Sequence, residues 1–444
     1  MIYLLPAILS IALGVLTLKA ILKDRLPGAL LVFFLGSTLG LGLSGFLTFT
    51  SFILFNKLLT PFVIVCHLGA LGYLGMILKK SGHLDFTGLV RSIRRQDILA
   101  LCAIAALVIP MILFTRLYPY GGWDAWGFWN TKARFLFLGG TNWTGMFDPA
   151  LWRVQTSYPF LLPLINVWFW SFGTSATYAV PAAMTCIIPF LTAGLLYSLL
   201  MEMTKKPWAI LAPVWIFTNM FTIQLAASQY SDLLLGLFLL AAVAMFILAQ
   251  TKQDNAFLIL TGLFLGMMAF TKVDGTALAV LTLTAASVFT LCNTPPSTVR
   301  RQAMVFLLTA ATVAATPLLV FLLAYAPANK HIFTNGLFSP DHPTSVARLT
   351  TVLIMSGQEF INLRWSGLWL VLGLMFILAR PHQSLRPALR LIPTILGSYF
   401  LVCLITYTIN TAYPVAWWID SSFNRIVLAL IPTVTLWAFL SHEK

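Results

Sequence analysis

The sequence predicts an all-α polytopic membrane protein, with about 13 transmembrane helices and a long extracytoplasmic first loop of amphipathic helices. Three observations predict it. Of 444 residues, 59% are apolar and 9% are charged, where a soluble globular chain carries about 25% charged residues. Apolar runs of about 20 residues recur along the whole length, each enough to span about 30 Å of hydrocarbon as a helix. The runs are continuous rather than alternating, which selects helices over a β-barrel.

The expected spans cover residues 2–22, 28–50, 58–78, 97–115, 176–200, 207–227, 232–250, 256–271, 275–292, 302–326, 365–380, 391–410 and 425–441. No cleavable signal peptide is expected, because no basic region precedes the first apolar stretch. With these spans, six basic clusters share one side: Lys23/Arg25, Lys79/Lys80 with Arg91/Arg94/Arg95, Lys205/Lys206, Lys252, Arg300/Arg301 and Arg380/Arg386/Arg390. That side is assigned to the cytoplasm by the excess of Lys and Arg in short cytoplasmic loops. The N-terminus then faces out, the C-terminus lies in the cytoplasm, and the expected location is the plasma (inner) membrane.

The net charge of +14 is accounted for by these clusters, so no nucleic-acid partner is expected. The five cysteines, Cys66, Cys102, Cys186, Cys292 and Cys403, show no paired spacing and imply neither a disulfide framework nor a metal site.

Two outer segments depart from the pattern of spans and short loops. Residues 116–175 carry Trp123, Trp126, Trp129, Trp143, Trp152, Trp168 and Trp170, a composition that fits helices lying at a membrane–water interface. Within this loop, YPFLLPLINVWFWSFG (158–173) is apolar enough to span. It is placed as a re-entrant or interfacial segment, because a span here would reverse the side of every later cluster. Residues 327–364 form a second, polar loop.

Ionisable residues near membrane depth are costly and therefore functional candidates. Asp124 lies in GGWDAWGFWNTKAR, where Gly121 and Gly122 fit a sharp turn and Lys132 and Arg134 follow two to three helical turns later. It is either an N-cap aspartate or a functional acid. Asp232 stands in QYSDLLLGLF at the mouth between two spans. Lys272 and Asp274 interrupt the apolar run of GLFLGMMAFTKVDG, either as a self-neutralising pair or as a cation available to an anion. Gly262 and Gly266 of that stretch permit close helix packing. Arg425, in WWIDSSFNRIVLALIP, and Arg364, after the second loop, are interfacial anchors or anion ligands. A carboxylate can accept a proton from an acceptor hydroxyl, and neighbouring cations can stabilise charge growing on a leaving phosphate. No nucleotide-binding Walker loop, HExxH or nucleophile elbow is present. No metal cofactor is expected, because no compact ligand cluster is visible.

The order of GWDAWGFWNTKAR, YPFLLPLINVWFWSFG, QYSDLLLGLF and GLFLGMMAFTKVDG resembles the GT-C superfamily of lipid-phosphate-dependent glycosyltransferases. Within it, the resemblance is to the protein mannosyltransferase-like and aminoarabinose transferase-like branch. It covers about residues 97–290, with an echo at WWIDSSFNRIVLALIP. It implies a GT-C-like catalytic membrane core at 97–292, an N-terminal three-helix membrane extension at 1–96 and C-terminal membrane helices at 293–444. It further implies Asp124 as catalytic base and Asp232 as a supporting acid. Lys272 and Arg425 would lie at the donor phosphate, with Lys132, Arg134, Tyr158, Asp274 and Arg364 as further substrate contacts. The implied partners are a polyprenyl-phosphate sugar donor, used with inversion on the outer face, and an acceptor glycan, lipid or protein. The chain departs from the family pattern in having Ala125 where a second acid often stands and Ser157 where a histidine often precedes the YP segment. Two rival readings are an O-antigen ligase- or polymerase-like enzyme, using His331, His342, Arg348 and Arg364, and a lipid or solute transporter. The transporter reading predicts inverted repeats, and none is found.

Overall fold

The computed structural model describes residues 3–294, 297–327, 346–379, 386–409 and 414–442. Among them the secondary structure is helical, without strands. Ten helices are long and apolar enough to cross a membrane: α1 (Leu4–Leu22), α2 (Ala29–Phe55), α3 (Thr60–Lys80), α4 (Arg95–Leu117), α7 (Ala179–Thr204), α10 (Asp232–Lys252), α12 (Val273–Asn293), α13 (Thr298–Ala324), α16 (Leu391–Ile409) and α17 (Val415–Leu440). Between them lie α5 (Asn130–Leu138), α6 (Leu161–Trp170), α8 (Leu211–Phe217), α9 (Met220–Ala227), α11 (Ala256–Ala269), α14 (Val346–Ile361) and α15 (Leu368–Ile377).

Against the expected 13 or so, the described residues hold ten such helices, or up to twelve if two bent pairs each count as one span. The expected span at 207–227 is broken at Thr218–Asn219, where the axis turns by 72° and the Asn219 side chain accepts the Thr222 N–H to start α9. The expected span at 365–380 is the ten-residue α15. It meets the helix that precedes it, Ala347–Trp365, at 115°. The expected span at 256–271 is the 14-residue α11, about 21 Å long at 1.5 Å per residue and short of a 30 Å core. It is instead buried by close packing on α13. A Cβ on Gly262 would stand 2.6 Å from the Ala311 nitrogen, and one on Gly266 would stand 2.3 Å from the Ala314 Cβ. Small residues are what let two backbones approach this closely.

The first loop also differs from an interfacial layer. Trp123 and Trp126 are about half exposed, but Trp129, Trp143, Trp168 and Trp170 are fully buried. The 158–173 segment contains α6, all ten residues of which are buried, chiefly against α2 and α5. Tryptophan favours an interface when one end stays wet. Here the Trp168 N–H finds a partner inside the protein instead, Ser10 Oγ at 3.0 Å, while the buried Trp143 ring reaches out through its N–H to the exposed Asn56 Oδ1 at 2.9 Å.

Trp168 belongs to a buried polar chain that ties α1, α2, α3 and α6 together. The Val63 carbonyl can only accept, so His67 Nδ1 donates to it (2.8 Å) and Nε2 is the bare nitrogen. The indole can only donate, so Ser10 accepts from Trp168 and passes its own hydrogen to Ser44 (2.7 Å), which donates to His67 Nε2 (3.0 Å). The imidazole also stacks on the indole with centroids 3.9 Å apart. Every donor in the chain has an acceptor only while His67 is the neutral Nδ1–H tautomer. His67→Phe keeps the stacking but leaves the Ser44 hydrogen without its acceptor. It is expected to cost about 1–3 kcal/mol, read as a lower unfolding temperature in detergent. An unchanged transition would mean the chain contributes nothing.

Helix α10 is buried along its length and sets the two ends of the bundle. At its Lys252 end, Lys252 Nζ meets Glu202 (2.6 Å), Glu202 accepts the Gly28 N–H (3.2 Å) and Arg25 pairs with Asp254 (2.7 Å). Lys205 also pairs with Glu202 (3.8 Å), so three basic clusters that the sequence assigns to one side, at Lys23/Arg25, Lys205/Lys206 and Lys252, meet at this end. Asp232 and the candidate site lie at the other.

Candidate functional site

The site is assembled from the first loop, the α9–α10 and α11–α12 junctions, and α17. Gly121 has φ +71°, a conformation that L side chains rarely adopt, and the Gly122 N–H donates to the Ser228 carbonyl at 3.0 Å. Gly122 leaves room for the Tyr230 ring, whose hydroxyl would stand 2.1 Å from an added Cβ. The chain then enters a wide π-helical turn, Ala125–Trp129, that leads into α5, a geometry often found at functional sites.

Asp124 stands at the start of this turn but makes no side-chain cap hydrogen bond. Its carboxylate instead accepts from Arg425 Nη1, 301 residues away. Arg425 lies on the eleventh residue of α17, because that helix begins at Val415 and not at the expected residue 425. It is about three turns inside a helix, not at its outer end. Its guanidinium also lies over the Tyr230 ring, 5.0 Å from the centroid, a favourable cation–π arrangement.

Lys272 occupies the extended break between α11 and α12. It does not form an isolated pair with Asp274. Its ammonium bridges Asp232 Oδ1 (2.9 Å) and Asp274 Oδ2 (2.8 Å). The Lys272 and Asp232 side chains are 6% and 5% exposed, whereas that of Asp274 is 33% exposed, so Asp274 is the solvent-facing member. Three carboxylates and two cations thus share the neighbourhood, and each cation is already held by a carboxylate. Around them, three buried polar atoms lack a hydrogen-bond partner: Arg425 Nε, Ser231 Oγ and Trp129 Nε1. Such atoms are uncommon and call for an explanation.

Tyr158 forms part of the enclosure, with its ring near those of Phe128 and Trp129. Loss of solvation, reinforced by the nearby Asp274 charge, pushes its phenol up to about 12. Burial likewise raises the Tyr230 phenol, with the Asp124 charge adding to the effect.

The other expected site residues lie apart from the two ion pairs. Lys132 is fully buried, and its Nζ donates to the carbonyls of Gln155 (2.7 Å) and Tyr158 (2.8 Å). Burial drives its ammonium well below the usual lysine range. It clamps the turn that carries Tyr158. Arg134 stacks on Tyr178, 4.4 Å from the ring centroid. Arg364 pairs with Glu359 and lies over Phe221, and its carbonyl accepts from Asn219 Nδ2 at 3.1 Å. Glu359 also accepts from Trp365 Nε1 at 2.7 Å. Arg364 therefore holds the two helix breaks together, at the Asn219 end of α9 and away from Ser228.

Sequence reasoning missed the stripe on α16. Tyr399, Cys403 and Tyr407 are 4%, 6% and 3% exposed, and Tyr399 and Cys403 lie within the electrostatic reach of Asp274. Tyr407 hydroxyl bonds Ser422 of α17 at 2.7 Å, and Arg348 Nε donates to the Tyr407 carbonyl at 3.2 Å. Their spacing at i, i+4 and i+8 on a span was the available signal, since these positions share one helix face. Two residues of the ligase-like reading, His331 and His342, lie outside the described residues, as does Asp341. Among the described residues, no group of three His, Cys, Asp or Glu side chains converges as a metal site would require.

Chemically, the arrangement offers a largely buried carboxylate for a proton and two enclosed cations for an anion. No protein-family model matches the chain, and no curated protein or solved structure matches it.

Proposed function

We propose that the chain is an integral-membrane glycosyltransferase that moves a sugar from a polyprenyl-phosphate donor to an acceptor hydroxyl. The observation that carries this reading is the meeting of Asp124 and Arg425 beside the Lys272–Asp232 pair. The acceptor hydroxyl gives its proton to Asp124. Its oxygen attacks the anomeric carbon as the bond from that carbon to the phosphate oxygen breaks, so one displacement inverts the centre. The bonding pair leaves with the phosphate, where Arg425 and Lys272 stabilise the charge. Asp232 and Asp274 hold Lys272 in position, and Asp232 supports the acceptor. The unpartnered Arg425 Nε and Ser231 Oγ are ready donors to phosphate oxygens. The resemblance in motif order supports the same chemistry. The site faces the extracytoplasmic side of the plasma (inner) membrane, the C-terminus is cytoplasmic, and no divalent metal is required.

The test uses the purified chain in proteoliposomes with a panel of polyprenyl-phosphate hexoses and pentoses and an envelope lipid and glycan extract. Polyprenyl phosphate release and glycosylated product are read by mass spectrometry. Release matched by product, and lost in Asp124→Asn, is the expected result. Retained turnover in Asp124→Asn would sink the assignment.

A further inference from the structure

A cavity of about 500 Å³ lies between the end of α4 and the start of α7. Ile112, Thr115, Arg116 and Pro119 line one wall, and Tyr178 and Ala182 the other. At its edge, the Thr115 and Thr185 hydroxyls bond at 2.9 Å and hold the two helices together. The walls are mostly apolar, and Arg116 is the charged residue of the lining. Ile112 both lines the cavity and is 42% exposed, so the mouth continues into the apolar surface of Ile109, Leu113 and Leu117. A chain that spans a membrane turns such a surface toward lipid.

Two cations stand at this cavity. Arg116 is exposed, and among the described residues no carboxylate is within ion-pair distance of it or of Arg134. Arg134 rests on the face of Tyr178, the ring that forms the cavity wall, and Tyr120 packs edge-on to the same ring. Apolar walls open to lipid, with unneutralised positive charge at the rim, complement an anionic amphiphile better than a sugar or a free ion. The cavity is also wired to the site. The Pro119 carbonyl accepts from Gln229 Nε2 (2.9 Å), and Gln229 accepts from Asn130 Nδ2 (2.8 Å). Asp124 follows Pro119 by five residues, no more than about 18 Å of extended chain.

We infer that this cavity binds a membrane lipid bearing a phosphate headgroup, with the hydrocarbon tail between α4 and α7 and the phosphate at Arg116, within the field of Arg134. Its role as the acceptor site rests on the glycosyl-transfer reading, and would make the acceptor a lipid. The binding itself does not depend on that reading.

The test measures lipid retained by the purified full chain by native mass spectrometry. It compares phosphatidylglycerol with phosphatidylcholine of the same acyl chains, with inorganic phosphate as competitor. Phosphatidylglycerol is expected to bind saturably and in preference to phosphatidylcholine, without displacement by phosphate. Arg116→Gln should weaken it about fivefold, the effect of one cation near an anionic headgroup. Ala182→Phe, which fills the tail channel and keeps both arginines, should abolish it in a chain that remains monodisperse. Asp124→Asn should bind as the parent does. Equal binding of the two lipids, displacement by phosphate, or unchanged retention in both cavity variants would overturn the proposal. Lipid binding as expected, with no sugar transfer from any donor, would instead remove the glycosyl-transfer reading and leave the lipid site standing.

Discussion

Asp124→Asn is expected to lower sugar transfer by about 10²–10⁴-fold, the usual worth of a positioned general base, while the chain remains folded. The two side chains have nearly the same shape, and the asparagine carbonyl can still accept from Arg425 Nη1. What is lost is the capacity to take a proton and the charge that pairs with Arg425. That pair is 14% and 17% exposed, so solvent still reaches it and the stability change should be smaller than for a fully buried pair. Thermal unfolding in detergent, run beside the transfer assay, separates the two effects. Arg425→Gln gives the complementary result: if Arg425 holds the donor phosphate, KM for the donor rises as kcat falls. Loss of stability in parallel with activity in both variants would mean that the ion pair only braces α17 against the first loop.

Lys272→Met is expected to have the largest effect on the fold. It removes the one cation that bridges Asp232 and Asp274. Asp274 is one-third exposed and can be solvated, but Asp232 is buried and would lose the ammonium it hydrogen-bonds, keeping only the field of Arg425. Breaking a buried pair in this way costs about 3–5 kcal/mol, a large part of the stability of most domains. The double substitution Lys272→Met/Asp232→Asn removes the orphaned charge and should restore most of the unfolding temperature. Transfer should not return with it if Lys272 acts on the leaving phosphate. Recovery of both together would limit Lys272 to a structural role.

Several particulars of the fold and site were legible before the structure. Gly262 and Gly266 marked a close helix crossing because only small side chains allow it. The Gly121–Gly122 turn was legible because a positive φ favours glycine. Asp124, Asp232, Lys272, Asp274 and Arg425 stood out because charges are costly in apolar surroundings, and these five share one neighbourhood in the structure. The two helix breaks were not legible, since the Asn219 cap is one of many local options in an apolar run, and only its second bond, to the Arg364 carbonyl 145 residues away, ties the breaks together. Nor were the roles of Lys132 and Arg364. Each carries the same charge as Lys272, and only its partners, two carbonyls in one case and Glu359 in the other, separate a clamp from an anion ligand.

The helical, multiply apolar character of this chain follows from residue order alone. Each backbone N–H and C=O in hydrocarbon must be satisfied within its own segment, so a long apolar run has helix as its local solution. Which charges meet does not follow from order. Asp124 and Arg425 are brought together, across 301 residues, by the packing of α17 against α10. The loop tryptophans went inward for the same kind of reason: Trp168 found a buried acceptor, Ser10, on α1, and Trp143 found Asn56 at the end of α2. Hydrophobic length is a property of a segment, whereas a charge pair or a buried indole depends on distant segments that arrive at the same place.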